Sequence, residues 1–168
     1  MDVAYEGKIP LIDHAAAKNA AKLGLDRLHI EDNPGLASAR AAGHAGEPLL
    51  IMRLNAPGQG YYLIPWLDER GIVLIVQVDA QSGLTAAVSG LSSPLQRLTM
   101  PPEDAKRLAS DLLGVRVTGE PWLVWEPCRE ASSPFQPLYQ VPVEDGNVFV
   151  SMDGSLHRNL TPFMKGGR

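Results

Sequence analysis

The chain carries few residues whose type and spacing suggest chemistry. Its single cysteine, Cys128, sits between Pro127 and Arg129 in a stretch that also holds Ser132, Ser133 and Pro134. A thiol held as thiolate by an imidazole is a nucleophile, but no cysteine-nucleophile signature surrounds Cys128, so a bystander thiol is expected. The four histidines, His14, His29, His44 and His157, never fall three or four residues apart, the spacing that sets two imidazoles on one helical face to hold a metal. His29 with Glu31 and Asp32 is the densest grouping, and a solvated strand end accounts for it. No metal and no cofactor is expected.

Asp79 and Asp153 fall in turns that look equivalent. Two carboxylates can divide acid and base roles when their surroundings separate their pKa values. An aspartate in a turn also bonds nearby backbone N–H groups, which explains both positions without catalysis. Gly58-Gln59-Gly60 lacks the Lys-Ser/Thr of a phosphate loop and precedes a strand, so it reads as a turn. No Gly-x-Ser-x-Gly elbow occurs. No catalytic residue is assigned.

Aromatic residues offer more. Trp122-Leu123-Val124-Trp125 places Trp122 and Val124 on one sheet face and Leu123 and Trp125 on the other. One indole is expected in the core against the second helix; for the other a two-sided core is the leading expectation and a contact surface the alternative. With Tyr61, Tyr62 and Trp66, these two tryptophans are the candidate binding residues.

The positioning elements follow from periodicity. A helix is expected from Ile12 to Gly24, with Ile12, Ala16, Ala20 and Leu23 on its apolar face, Pro10 near its first turn and Gly24 as its stop. A second begins at Pro101-Pro102-Glu103-Asp104, continues through Ala105, Leu108, Ala109, Leu112 and Leu113, and closes at Gly114. Strands are expected at Leu49–Leu54, Tyr61–Leu67, Ile72–Ala80 and Leu84–Ser89, then at Trp122–Glu126, Leu138–Val143, Val148–Met152 and Leu156–Leu160. Ile72 to Val76 is apolar on both faces, the mark of an interior strand. Asp145-Gly146 and Asp153-Gly154 are hairpin signals. Pro65 and Pro142 late in their strands imply an edge or a bend with exposed backbone groups. Asp32–Pro48 and Pro127–Pro137 read as loops, and Met164–Arg168 as a frayed tail.

The order helix, strand, proline-containing strand, strand, aspartate turn, strand occurs twice. Ala21-Lys22-Leu23-Gly24 aligns with Asp111-Leu112-Leu113-Gly114, and Tyr62-Leu63-Ile64-Pro65 with Tyr139-Gln140-Val141-Pro142. Fixed-order self-similarity is the signature of a duplicated unit. The expected fold is therefore α+β: two tandem repeats, over residues 1–92 and 93–168, each with one helix packed on a three- to four-stranded antiparallel sheet.

These segments resemble the PepSY-like domains. The resemblance is carried by the helix ending at Gly114, Pro137 to Pro142, Val148 to Leu156 with Asp153, Tyr61 to Pro65, and Val76-Gln77-Val78-Asp79-Ala80-Gln81-Ser82-Gly83. The Asp32–Pro48 insertion departs from the pattern. The resemblance implies a helix on an antiparallel sheet and a non-catalytic role as a peptidase-inhibitory, chaperone-like or ligand-sensing module.

Composition bounds the rest. The chain has 168 residues, 45% hydrophobic and 20% charged, with a net charge of −4. Without a basic stripe it lacks the footprint of a nucleic-acid binder. One cysteine excludes an intramolecular disulfide and fits a reducing compartment. The acidic start Met1-Asp2-Val3-Ala4-Tyr5-Glu6 is unlike a signal peptide, and the apolar run Ile72–Val76 is too short for a membrane span. A cytoplasmic protein is the default expectation, and a processed secreted form would look the same. The leading functional expectation is a binding or regulatory protein engaging a protein or peptide partner through a sheet edge or the aromatic patch. The alternatives are a small-molecule binder or enzyme with a pocket between helix and concave sheet face, and an assembly subunit forming a homodimer.

Overall fold

The computed structural model describes residues 9–163; the expected frayed tail and the acidic start lie outside them. Helix α1 spans His14–Arg27, a short 3-10 turn Ile30–Asp32, and helix α2 Pro34–Ala42. Strands β1 (His44–Ala45), β2 (Leu49–Arg53), β3 (Gly60–Asp68), β4 (Gly71–Asp79) and β5 (Thr85–Leu95) follow. After helix α3 (Pro102–Leu113) come β6 (Trp122–Trp125), β7 (Leu138–Val143), β8 (Gly146–Val150) and β9 (Leu156–His157). The fold is α+β, as expected.

All nine strands join one sheet in the order β5-β4-β3-β2-β6-β7-β8-β9, with β1 also pairing β3. Each half is an antiparallel meander, and the halves meet where β2 and β6 run parallel, Met52 beside Val124 and Arg53 beside Trp125. α1 and α2 pack on one face, over Tyr62, Ile64, Trp66, Leu74, Val76 and Val78. α3 joins a second cluster with Tyr139, Val141, Val148 and Val150. Along β3 successive residues go to alternate clusters, and along β4 both clusters are served, with Val73 and Leu74 on the same one at a register shift, so residues 72–76 are buried throughout. That is the doubly covered interior strand expected from their composition.

α3 matches its sequence signals: Glu103 and Asp104 lie in its first turn, and Gly114 caps it at a φ of 61°. α1 departs from them. Asp13 caps it by accepting from the Ala16 N–H at 2.7 Å, and the helix continues past Gly24 to Arg27. Its buried residues are Ala17, Ala21, Gly24 and Leu25, one position on from the face expected to be apolar. Gly24 is there for close approach and does not stop the helix: a Cβ would overlap the Thr85 side chain.

The stretch 32–48 is not a loop. Asn33 Oδ1 accepts from the Leu36 N–H at 3.2 Å and Pro34 opens α2, while Leu36 and Ala39 pack on the sheet. Two apolar contacts among small residues leave a weak periodic signal, but an asparagine cap followed by proline suffices to start a helix. β5 also outruns its expected end at Ser89, reaching Leu95.

Pro65 and Pro142 sit on interior strands. Pro65 faces the gap between β1 and β2, where no strand residue stands opposite its missing N–H, and its carbonyl accepts from the Gly46 N–H at 2.7 Å. Pro142 lies beyond the start of β6, and its carbonyl accepts from the Thr118 N–H at 3.0 Å. A proline is tolerated inside a sheet where one neighbour is interrupted. The expected exposed carbonyls are in fact bonded.

Candidate functional site

The groups whose types suggested chemistry are occupied elsewhere. Cys128 is buried, its sulfur 4.0 Å from the Ala131 carbonyl, and burial pushes the thiol pKa up, away from the thiolate. Asp79 Oδ1 accepts from the N–H groups of Gln81 and Ser82 at 3.0 and 2.7 Å and from the Ser82 hydroxyl at 2.9 Å. Burial alone would raise this carboxyl, but the Ser82 and Gln81 hydrogen bonds hold it below its usual range. Asp153 accepts from the Ser155 N–H at 2.9 Å, which with the Ser155 side chain lowers its pKa. Each aspartate serves its own turn. Among the described residues, no cluster of histidine, cysteine or carboxylate side chains has the makings of a metal site.

One side-chain pair escapes a search by short motifs. Ser151 Oγ lies 2.8 Å from His157 Nε2. The two flank the Asp153-Gly154 turn, and Phe149 stands opposite His157, so the pair is a diagonal contact across the β8–β9 hairpin. A serine bonded to a histidine is the start of a nucleophilic dyad. No described hydrogen bond orients the other imidazole nitrogen, and Ser151 N–H and carbonyl are tied to Ser155 and Gly154 within the turn. The contact holds the hairpin together.

The aromatic candidates separate. Tyr61, Tyr62, Trp66 and Trp125 are buried, while Trp122 is 42% exposed. They therefore do not share one exposed face. Tyr61 donates to the Pro134 carbonyl and Trp125 Nε1 to the Ala131 carbonyl, while their rings meet edge-on at 6.2 Å beneath the Arg53 guanidinium. Tyr62 donates to the Ile12 carbonyl and Trp66 Nε1 to the Arg40 carbonyl. Each buried aromatic ties a loop or helix to the sheet, so a polar tip at the end of a large apolar body finds its partner. Trp125 lies in the core and Trp122 at the surface, so β6 has one indole in solvent in place of the two-sided core expected first.

The most unusual surface lies at the opposite end of the sheet from that hairpin. β5 is the outermost strand, 11 residues long, and no described strand pairs with its outer edge. From Ala80 to Gln96 no residue is charged. Long outer strands are ordinarily blunted by lysines or other charges; among the described residues two register shifts and Pro94 serve that end here, and they leave Ala87 to Gly90 in regular register against Gln77 to Leu74.

Two grooves border this edge. One, of about 350 Å³, runs between α1 and the start of β5, lined by Ile12, Ala16, Leu23, Leu28, Leu84 and Thr85 among others. The face of α1 expected to enter the core thus lines a groove. The other, of about 290 Å³, lies between α2 and the far end of β5, with Leu36, Val73, Leu91 and Pro94. Leu84, 63% exposed, and Leu95 stand at the two ends of the strand. The uncharged run was present in the sequence; what the sequence lacked was any sign that this strand would be outermost.

No helix among the described residues is long and apolar enough to cross a membrane. No family model matches the chain, and no curated protein or solved structure matches it.

Proposed function

We propose that this protein is a non-catalytic binding protein that takes up an extended segment of a protein or peptide partner by strand addition along β5. The observation that carries this reading is an 11-residue outer strand without charge, set between a mainly apolar groove beside α1 and a mixed one beside α2 that Asn33 and Arg70 also line. In strand addition, main-chain hydrogen bonds supply affinity and pockets for side chains supply selectivity. The edge offers the first and the grooves the second.

We read the two halves as copies of one PepSY-like unit, joined first strand to first strand. In each half a helical segment precedes a meander of four main strands, and the strand order runs outward from the β2–β6 seam in both directions. A regulatory role of the inhibitory or chaperoning kind accords with that resemblance.

The test is selection of displayed 12-residue peptides against the whole chain and against a Val88→Pro variant confirmed to be folded, since the register directs the Val88 N–H at the open edge. Enrichment of extended, apolar sequences by the native chain and its loss with the proline supports the reading. No enrichment, or enrichment indifferent to the proline, removes it.

A further inference from the structure

We infer that the segment added to β5 is β5 of a second copy of this chain, antiparallel across a two-fold axis; the inference rests on the strand-addition reading above. A two-fold axis perpendicular to the sheet keeps each face on its own side, so residues that pair must share a face. An axis through Ser89 meets this condition, setting Ser89 against Ser89, Val88 against Gly90, and Ala87 against Leu91.

Four observations favour a second copy over a foreign segment. First, every residue from Ala80 to Gln96 is uncharged, so two such edges meet without repulsion although each chain is net acidic. Second, the residues at the centre are small, and Gly90 already admits Leu36 so closely that a Cβ would lie 2.7 Å from its Cδ2. The helix layer therefore sits low over the middle of the strand. Third, antiparallel pairing brings the Leu84 end of one copy against the Pro94–Leu95 end of the other. Leu84 beside the α1 groove and Pro94 beside the α2 groove then meet twice on the helix-covered face, the reciprocal pattern of an isologous interface.

Fourth, the dimensions suffice. About the Ser89 axis residues 85–93 pair, nine residues or roughly 30 Å at about 3.3 Å each. A sheet with one helix layer is about 20 Å thick, so the strip is about 600 Å² per partner, at the low end of stable interfaces.

Sedimentation velocity of the full chain over a concentration series tests this, with Ser89→Lys, Ser89→Glu and their mixture. A dimeric native chain, monomeric single variants and a dimer restored by mixing lysine and glutamate forms are expected, because the opposed charges then meet at the axis. Restoration also excludes misfolding as the cause of dissociation. Ser92→Lys, at an exposed site, is a second variant expected to dissociate the dimer should the Ser89 forms fail to fold. A native chain that stays monomeric at high concentration, or a dimer that survives both lysines, overturns the inference. A monomer that still enriches peptides in a Val88→Pro-sensitive way leaves strand addition standing with a foreign occupant. A monomer that enriches none ends both.

Discussion

Gly24 and Thr85 are packed so closely that the helix backbone and the strand side chain leave no room for a methyl group between them. The Thr85 hydroxyl donates to the Ala20 carbonyl at 3.2 Å, drawing α1 onto the first residue of β5. Gly24→Ala must push the helix away or turn the threonine. Overpacking of this kind costs about 1–3 kcal/mol, offset by up to about 1 kcal/mol from the better helix propensity of alanine. The variant is expected to unfold at lower denaturant than the native chain. Equal or higher midpoints in urea would show that the contact relaxes freely.

Glu130 holds the returning end of the chain. Its two oxygens accept from the Thr161 N–H at 2.8 Å and from the Thr161 hydroxyl at 2.7 Å, and these bonds lower its pKa to about 2. A carboxyl whose folded pKa lies below its unfolded value adds stability that is complete above the unfolded value, near 4.5, and is lost as pH falls toward 2. Denaturation midpoints of the native chain and of Glu130→Gln should therefore converge as pH drops from 5 to 2. Because the carboxylate is exposed, the effect is modest and falls with added salt. A constant difference across that range would contradict the latch.

Ser151 and His157 are expected to act structurally. Ser151→Ala should cost about 1 kcal/mol, the usual worth of one hydrogen bond, and leave any background hydrolysis of an activated ester unchanged. Ester turnover that vanishes with Ser151→Ala would make the pair a catalytic dyad.

The two tryptophans of β6 should respond oppositely. Trp125→Ala removes a buried ring with its indole hydrogen bond and its edge contact to Tyr61, a loss of about 3–5 kcal/mol. Trp122→Ala should change stability by about 1 kcal/mol or less while removing the iodide-quenchable part of the fluorescence. Comparable destabilisation by both would show that Trp122 is covered.

α3 and the core strands were legible because their signals are local. Pro102, Glu103, Asp104 and Gly114 mark a helix within its own span, and Ile72 to Val76 announce their burial by composition. α2 was hidden because only Leu36 and Ala39 face the sheet, too few to impose a period on a run of small residues. The apolar face of α1 was misassigned for a related reason: with alanines on several sides, alanine 16 or 17 cannot be told apart as the inward one by hydropathy. The two prolines misled because their tolerance depends on interruptions in neighbouring strands, which no local window contains. The aromatic patch failed likewise, since Tyr61 and Tyr62 alternate to opposite faces, each finding a cover contributed by a distant segment.

The parallel seam between β2 and β6 has a kinetic consequence. Every other strand pair joins strands adjacent or one apart in the chain, whereas Met52 and Val124 must find each other across all of β3, β4, β5 and α3. Closing so long a loop is entropically costly before any contact rewards it. Substitutions that weaken only the seam should therefore slow refolding more than shortening a hairpin turn speeds it, and a trapped species with two formed meanders and an open seam is the intermediate to look for.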